Sequence, residues 1–341
     1  MRKTLVVVML GLGLLAACIA AVGVGAVPVT PSAVLRVFLH AVGLRVGAAP
    51  AAQETAIVLH IRLPRVLAAV IVGSTLAVCG AAMQGVFRNP LASPDVLGIS
   101  AGASLGAVAA ISSGLFAAGM LFLPLLAVVG ALAAAALIYA ISSHRGRASL
   151  LFVVLAGLAV SSLLNGLVSA VLLFSNNYEV SQFIFWTMGG LEGRTWRHIA
   201  LPLPFLAVAV TVLFLHLREL NLFALGEESA YSLGMHVERT KRVLMAATAV
   251  ATAMAVSVGG PVGFVGLLVP HLFRMLLGPD HRTLLPTAAL GGALFLVLCD
   301  LLGRVLLPPF KIRVGIVTAL IGSPYFLFLV IRSQRKGFRQ P

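Results

Sequence analysis

Arg62-Leu63-Pro64-Arg65 opens an apolar stretch, and Phe87-Arg88-Asn89-Pro90-Leu91-Ala92-Ser93-Pro94-Asp95 closes it. Between them lie about twenty residues, enough at 1.5 Å per residue to cross the hydrocarbon core of a bilayer. Two arginines therefore stand at one face of a membrane, and a proline-broken polar loop stands at the other. The same grammar repeats along the chain. Apolar spans are expected at 4–27, 64–86, 95–114, 119–141, 149–174, 200–217, 241–258, 262–278, 284–303 and 313–332. Gly259-Gly260-Pro261, between the seventh and eighth, reads either as a hairpin or as a kink in irregular helix.

Composition supports this reading. The 341 residues are 60% hydrophobic and 10% charged, with a mean hydropathy of +1.08. A soluble domain carries roughly 25% charged residues, so this much apolar surface needs lipid as its solvent. The runs are continuous rather than alternating, which favours helices over a barrel. The expected fold is all-α, a polytopic membrane protein of about ten transmembrane helices forming one domain over 1–341. The net charge of +14 would point to nucleic acid in a soluble protein, but here the basic residues cluster at helix ends, and no nucleic-acid partner is expected. Cys18, Cys79 and Cys299 all lie in apolar segments and read as buried thiols. Met1-Arg2-Lys3 and the apolar run after it resemble a signal peptide. The run continues past Cys18 to Val27, so a spanning helix is the expectation.

With the N-terminus placed in the cytoplasm, alternation puts 15 of the 24 Lys and Arg residues inside. The remaining nine are Arg36, Arg45, Arg62, Arg65, Arg194, Arg197, Arg304, Lys311 and Arg313. The bias agrees with the positive-inside rule and places both termini in the cytoplasm. Facing Glu54, Glu179 and Glu192 alone, the nine also make a basic outer face suited to an acidic partner or an anionic solute. Snorkelling at helix ends is the simpler account for Arg36, Arg45 and Lys311. The longest inner loop, 219–240, holds Leu225-Gly226-Glu227-Glu228-Ser229-Ala230-Tyr231-Ser232-Leu233-Gly234, read as a short helix stopped by Gly234. Such a knob suits docking to a soluble subunit, or is an ordinary connector. Gly73, Gly80 and Gly85, then Gly98, Gly102 and Gly106, are spaced for close helix packing.

Absences narrow the chemistry. No G-x-x-x-x-G-K-[ST], H-E-x-x-H or G-x-S-x-G occurs. Asp300 reads as an intramembrane acid, four residues before Arg304 and so placed for an intrahelical pair. Secondary transporters usually need buried ionisable groups or interrupted helices at the midplane, and the scarcity of such acids argues against secondary transport.

The succession of Arg62-Leu63-Pro64-Arg65, Gly80-Ala81-Ala82-Met83-Gln84-Gly85, Asn89-Pro90-Leu91-Ala92 and Leu97-Gly98-Ile99-Ser100 resembles the FecCD family of permeases, which serve ABC importers of iron-siderophores, haem and cobalamin. Phe185-Trp186-Thr187-Met188-Gly189, Gly260-Pro261-Val262-Gly263-Phe264-Val265-Gly266-Leu267, Pro270-His271, Gly315-Ile316-Val317-Thr318 and Gly322-Ser323-Pro324 extend the resemblance over essentially the whole chain. It implies a type II importer permease fold, a homodimer with the pathway between subunits, two cytoplasmic ABC ATPase subunits, and a periplasmic substrate-binding protein. The setting implied is the bacterial inner membrane. No cofactor belongs to this chain, and ATP and Mg would be bound by the ATPase. Arg62, Arg65 and Arg304 resemble arginines that receive glutamates from the binding protein. Leu225, Gly226, Glu227, Glu228, Ala230, Leu233 and Gly234 resemble the ATPase coupling element, with Ser229 in place of the commoner alanine. The span 149–174 and the segment 180–192 resemble the pathway and gate, where Ser161, Ser162 and Asn165 would supply either polar contacts or helix–helix hydrogen bonds. A ferric siderophore is the first expectation for the substrate, then haem, then cobalamin.

Overall fold

Pro64 has no N–H to offer the Leu59 carbonyl five residues back, and the chain ahead of it is a π-helix over Ala56–Arg62. The Trp196 indole N–H donates to that Leu59 carbonyl instead, at 3.0 Å. The turn and the span it leads into form one element, α3 (Ala52–Val86). The computed structural model describes residues 2–25, 27–44, 48–115, 119, 121–144, 147–148, 150–307 and 310–337. Arg45, Arg145 and Arg339, each assigned a membrane side from the sequence, lie outside the described residues.

Before α3 come α1 (Arg2–Gly23) and α2 (Pro31–Ala41). After it come α4 (Ile99–Ser112), α5 (Phe122–Ser142), α6 (Leu150–Leu173), α7 (Asn177–Thr187) and α8 (Trp196–Leu215). The chain ends with α9 (Leu217–Phe223), α10 (Glu227–Ser232), α11 (Val237–Gly259), α12 (Val265–Leu277), α13 (His281–Val305) and α14 (Val314–Gly337). Seven of these helices are long and apolar enough to cross a membrane, and three shorter apolar helices join them (α4, α12 and the Val314–Phe328 part of α14). Together, 7 and 3 match the ten expected spans. Among the described residues, strand pairing is confined to a two-residue hairpin, Ser143–His144 with Arg147–Ala148.

The small residues act where their spacing placed them. A Cβ on Gly73 would collide with the Gly292 carbonyl of α13, and one on Gly80 with the Gly266 carbonyl of α12. Pro270 leaves that same Gly266 carbonyl without its in-helix donor. Gly102 and Gly106 bring α4 against Gly130 and Leu126 of α5 in the same way. The Gln84 amide donates to the Leu267 carbonyl at 3.1 Å, so α3 is held to α12 by a polar bond as well. These approaches make α3 the hub of the bundle.

The structure decides the alternative left open at Gly259-Gly260-Pro261. Helices α11 and α12 are separate, and the link between them lies deep in the bundle. Gly259 packs against Val72, and Gly266 against Leu76, both well inside α3. Gly260–Phe264 is therefore irregular backbone at membrane depth, which survives only where protein or a water-filled cavity surrounds it. Gly260 (φ +68°) takes a conformation suited to glycine, but Phe264 (φ +69°) is also left-handed, at a cost of about 1–3 kcal/mol. The Phe264 ring stands where a Gly322 side chain would otherwise be.

Candidate functional site at the two ends of the bundle

At one end, the last turn of α1 presents carbonyls that no helical N–H can reach. Two arginines supply the donors. Arg62 Nη1 donates to Val22 O at 2.7 Å and Gly23 O at 2.6 Å, and its Nη2 donates to Val27 O. Arg304 Nη1 donates to Ala21 O at 2.9 Å and Val24 O at 3.3 Å. Asp300 sits between Arg304 and Arg65. It takes Arg65 Nε at 3.1 Å and Nη2 at 2.9 Å on Oδ1, and lies 3.0 Å from Arg304 Nη2 through Oδ2. The intrahelical Asp300–Arg304 pair expected from the spacing is present, but it is shared with a residue 235 positions away.

The three arginines do converge on one end, although not as free guanidiniums. Arg62 is 6% exposed, and the Arg65 and Arg304 side chains are 13% and 7% exposed. The physical reason is the C-terminus of α1 and the Asp300 carboxylate, which claim their donors inside the bundle. Beside this cluster, Glu192 accepts from Lys311 Nζ at 2.6 Å. That bond, with the fields of Arg65 and Arg313, holds the Glu192 carboxyl below the usual carboxylate range.

At the other end is the knob. Glu227–Ser232 is its helix, and Gly234 (φ +85°) ends it in the left-handed turn expected of glycine. The Met235 N–H closes that turn onto Ala230 O at 3.1 Å. Leu225, Tyr231 and Leu233 are exposed, and Glu227, Glu228 and Ser229 are exposed with them. Ala230, expected on the contact surface, is instead fully buried and anchors the knob from beneath. Two ties the sequence did not disclose fasten the knob. Lys241 of α11, 2% exposed, reaches Glu227 Oε1 at 2.7 Å. Asn221 of α9 donates to Asp280 Oδ1 at 2.8 Å and accepts the His281 N–H at 2.8 Å. That donated bond and the Arg282 N–H pull the Asp280 carboxyl below its usual range. The charged run Glu238-Arg239-Thr240-Lys241-Arg242 at the start of an apolar span was the available signal for Lys241; nothing in the sequence marked Asn221.

Between the ends, Ser161 packs behind the Gly98 turn, whereas Ser162 and Asn165 are exposed on α6. With Gly166 and Ser169 they form an i, i+3, i+4, i+7 polar stripe on an otherwise apolar helix. Asp95, read from the sequence as a residue at the end of a span, lines a cavity of about 230 Å³ with Ser93, Ser100, Thr252 and Phe264. Ser100 Oγ donates to Asp95 Oδ1 at 2.5 Å. Asp95 itself is exposed at this cavity.

The sequence model of the FecCD transport family matches residues 13–332. The chain belongs to the FecCD transport family. Among FecCD relatives, the cobalamin import system permease protein BtuC of Halobacterium salinarum is 44% identical over 85% of this chain and 77% of its own length. The hemin transport system permease protein HmuU of Yersinia pestis is 42% identical over 82% of this chain and 85% of its own. A solved metal-chelate type ABC transporter in an inward-facing conformation superposes with a TM-score of 0.83 at 29% identity, covering 96% of this chain and 98% of that one. This FecCD chain is accordingly a multi-pass membrane protein with the type II ABC importer permease fold.

Proposed function

We propose that this chain is the permease subunit of an ATP-driven importer that carries a metal chelate into the cytoplasm by alternating access. The first expectation remains a ferric siderophore, with haem and cobalamin as the alternatives. The observation that carries the reading is the pairing of a basic end with an exposed knob of apolar and acidic residues at the opposite end of one bundle. Two copies of the chain would enclose the pathway, with Ser161, Ser162 and Asn165 beside it. The polar stripe on α6 supports a partner or water there rather than lipid. Two ATPase subunits, which bind ATP and Mg, would grip Leu225, Gly226, Glu227, Glu228, Leu233 and Gly234, with Ala230 holding the knob in place. Closure of the ATPase pair would then pull on α9 through Asn221 and on α11 through Lys241. The chain would sit in the bacterial inner membrane with both termini cytoplasmic.

A periplasmic binding protein would dock on the basic end. Its carboxylates would compete with Asp300 for Arg65 and Arg304, while Arg62 stays on the carbonyls of α1 and contributes its field. The test is reconstitution of the permease with its ATPase and binding protein in proteoliposomes, followed by uptake of ferric siderophore, haem and cyanocobalamin. ATP-dependent uptake of one of them is the expected result. Uptake that persists without ATP and collapses with an uncoupler would make the chain a secondary transporter.

A further inference from the structure

Of the three outer arginines that docking and snorkelling leave unused (Arg194, Arg197 and Arg313), Arg194 and Arg313 stand at one loop. They approach one residue from two sides. The Gly190 N–H donates to Gly259 O at 2.7 Å, which ties the loop after α7 to the end of α11. Arg194 turns back under this loop, and its Nε and Nη2 both lie 3.4 Å from Gly190 O, a long bond for a charged donor. Arg313 arrives from the start of α14, with Nη1 3.0 Å from where a Gly190 Cβ would stand. Its guanidinium carbon lies 4.9 Å from the centre of the exposed Phe185 ring.

The charges here are unbalanced. Among the described residues, neither arginine has a carboxylate within ion-pair distance, and the nearby Glu192 is held by Lys311 at 2.6 Å. Enclosure and the neighbouring Arg313 charge push the Arg194 guanidinium down to about 10, so it stays cationic at neutral pH. Two like charges beside one glycine, Arg194 enclosed and Arg313 half-buried with only the field of Glu192 to offset it, cost energy that an anion between them would return. A guanidinium fork matches a carboxylate in plane and spacing, and the aromatic face beside it suits a flat or ring-rich body. A partner protein would need projecting side chains, whereas Arg194 is folded inward. The same loop also contacts the irregular backbone at membrane depth, because Gly189 packs on the Pro261 carbonyl.

We propose that Arg194 and Arg313 form a seat for the carboxylate groups of the transported solute at the outer mouth of the pathway, and that the substrate is a carboxylate-bearing iron chelate such as haem rather than an amide-rimmed corrinoid. This rests on the importer reading and narrows it. The seat orients the anionic edge of the chelate before the gate opens and discriminates against a neutral rim of the same size.

The test uses the permease–ATPase complex in nanodiscs, without binding protein and with empty nanodiscs as the blank. Trp186, one of two tryptophans in the chain, neighbours Phe185, so quenching by haem reports occupancy. Ferric haem should bind at least about tenfold tighter than its dimethyl ester, as expected of charge-assisted hydrogen bonds. Arg194→Gln and Arg313→Gln should each bring that ratio towards one, and Arg194→Lys should keep most of it, which separates lost charge from lost fold. Equal binding of haem and ester by the wild type overturns the seat, as does a ratio that survives both Gln variants. In a second measurement with binding protein added, a variant that loses its capture but keeps the ratio assigns the arginines to the partner and also overturns the seat. If ATP-driven uptake fails for every chelate, the importer reading falls; if cyanocobalamin is taken up without any haem-over-ester preference, the seat alone falls.

Discussion

Changing Asp300 to Asn is the sharpest probe of the outer arginine cluster. The carboxylate is 2% exposed and serves two cations, the Arg65 fork at 2.9–3.1 Å and Arg304 at 3.0 Å. The amide keeps the volume but removes the charge, leaving two enclosed guanidiniums facing each other. Breaking one partner out of a buried ion pair costs about 3–5 kcal/mol, because the remaining charge stays desolvated. Arg65 has a water-facing edge, with 13% of its side chain exposed, so the lower end, about 3 kcal/mol, is expected here. The assay is equilibrium unfolding in mixed micelles with a double-mutant cycle of Asp300→Asn and Arg65→Gln. The double variant should recover part of the loss, because removing Arg65 also removes a stranded charge, and the coupling should exceed about 1 kcal/mol. Wild-type stability of Asp300→Asn, or additive single losses, would refute the shared ion pair. The same variant frees Arg65 and Arg304 for incoming carboxylates, so any folded fraction should capture the binding protein more tightly.

Arg65→Glu should weaken binding-protein docking beyond what added salt does, and a compensating Glu→Arg on the partner should restore part of it; wild-type docking at low salt would remove the docking role. Gly234→Val forces a β-branched residue to φ +85°, so ATPase stimulation should be lost while the bundle melts normally, and unchanged transport would remove the coupling role. Lys241→Met keeps the stem in the core but releases Glu227, and ATP hydrolysis should become uncoupled from uptake, as read from moles of ATP per mole of chelate. Externally added thiol reagent should label a cysteine placed at Glu54 or Glu192 and spare one at Ser229 or at Gln340, which lies outside the described residues; outside labelling at Gln340 would break the even count of spans.

Apolar length and basic flanks are local properties, so all ten spans, the knob and its stop at Gly234 were legible residue by residue. The glycine faces were legible too, since i, i+4 spacing sets a helix face whatever packs on it. Only the tertiary structure decided which groups meet across the chain. Asp300 could be paired with Arg304 from the sequence, but not with Arg65, because a contact across 235 positions leaves no local trace. Exposure of the arginines was likewise out of reach, since it depends on where the end of α1 lands and how many of its carbonyls need donors. Gly260–Phe264 was visible as a break, but its depth follows from the packing of Gly259 and Gly266 on α3. Periodicity measures position along a helix, and function here depends on position across the bundle, which packing alone sets.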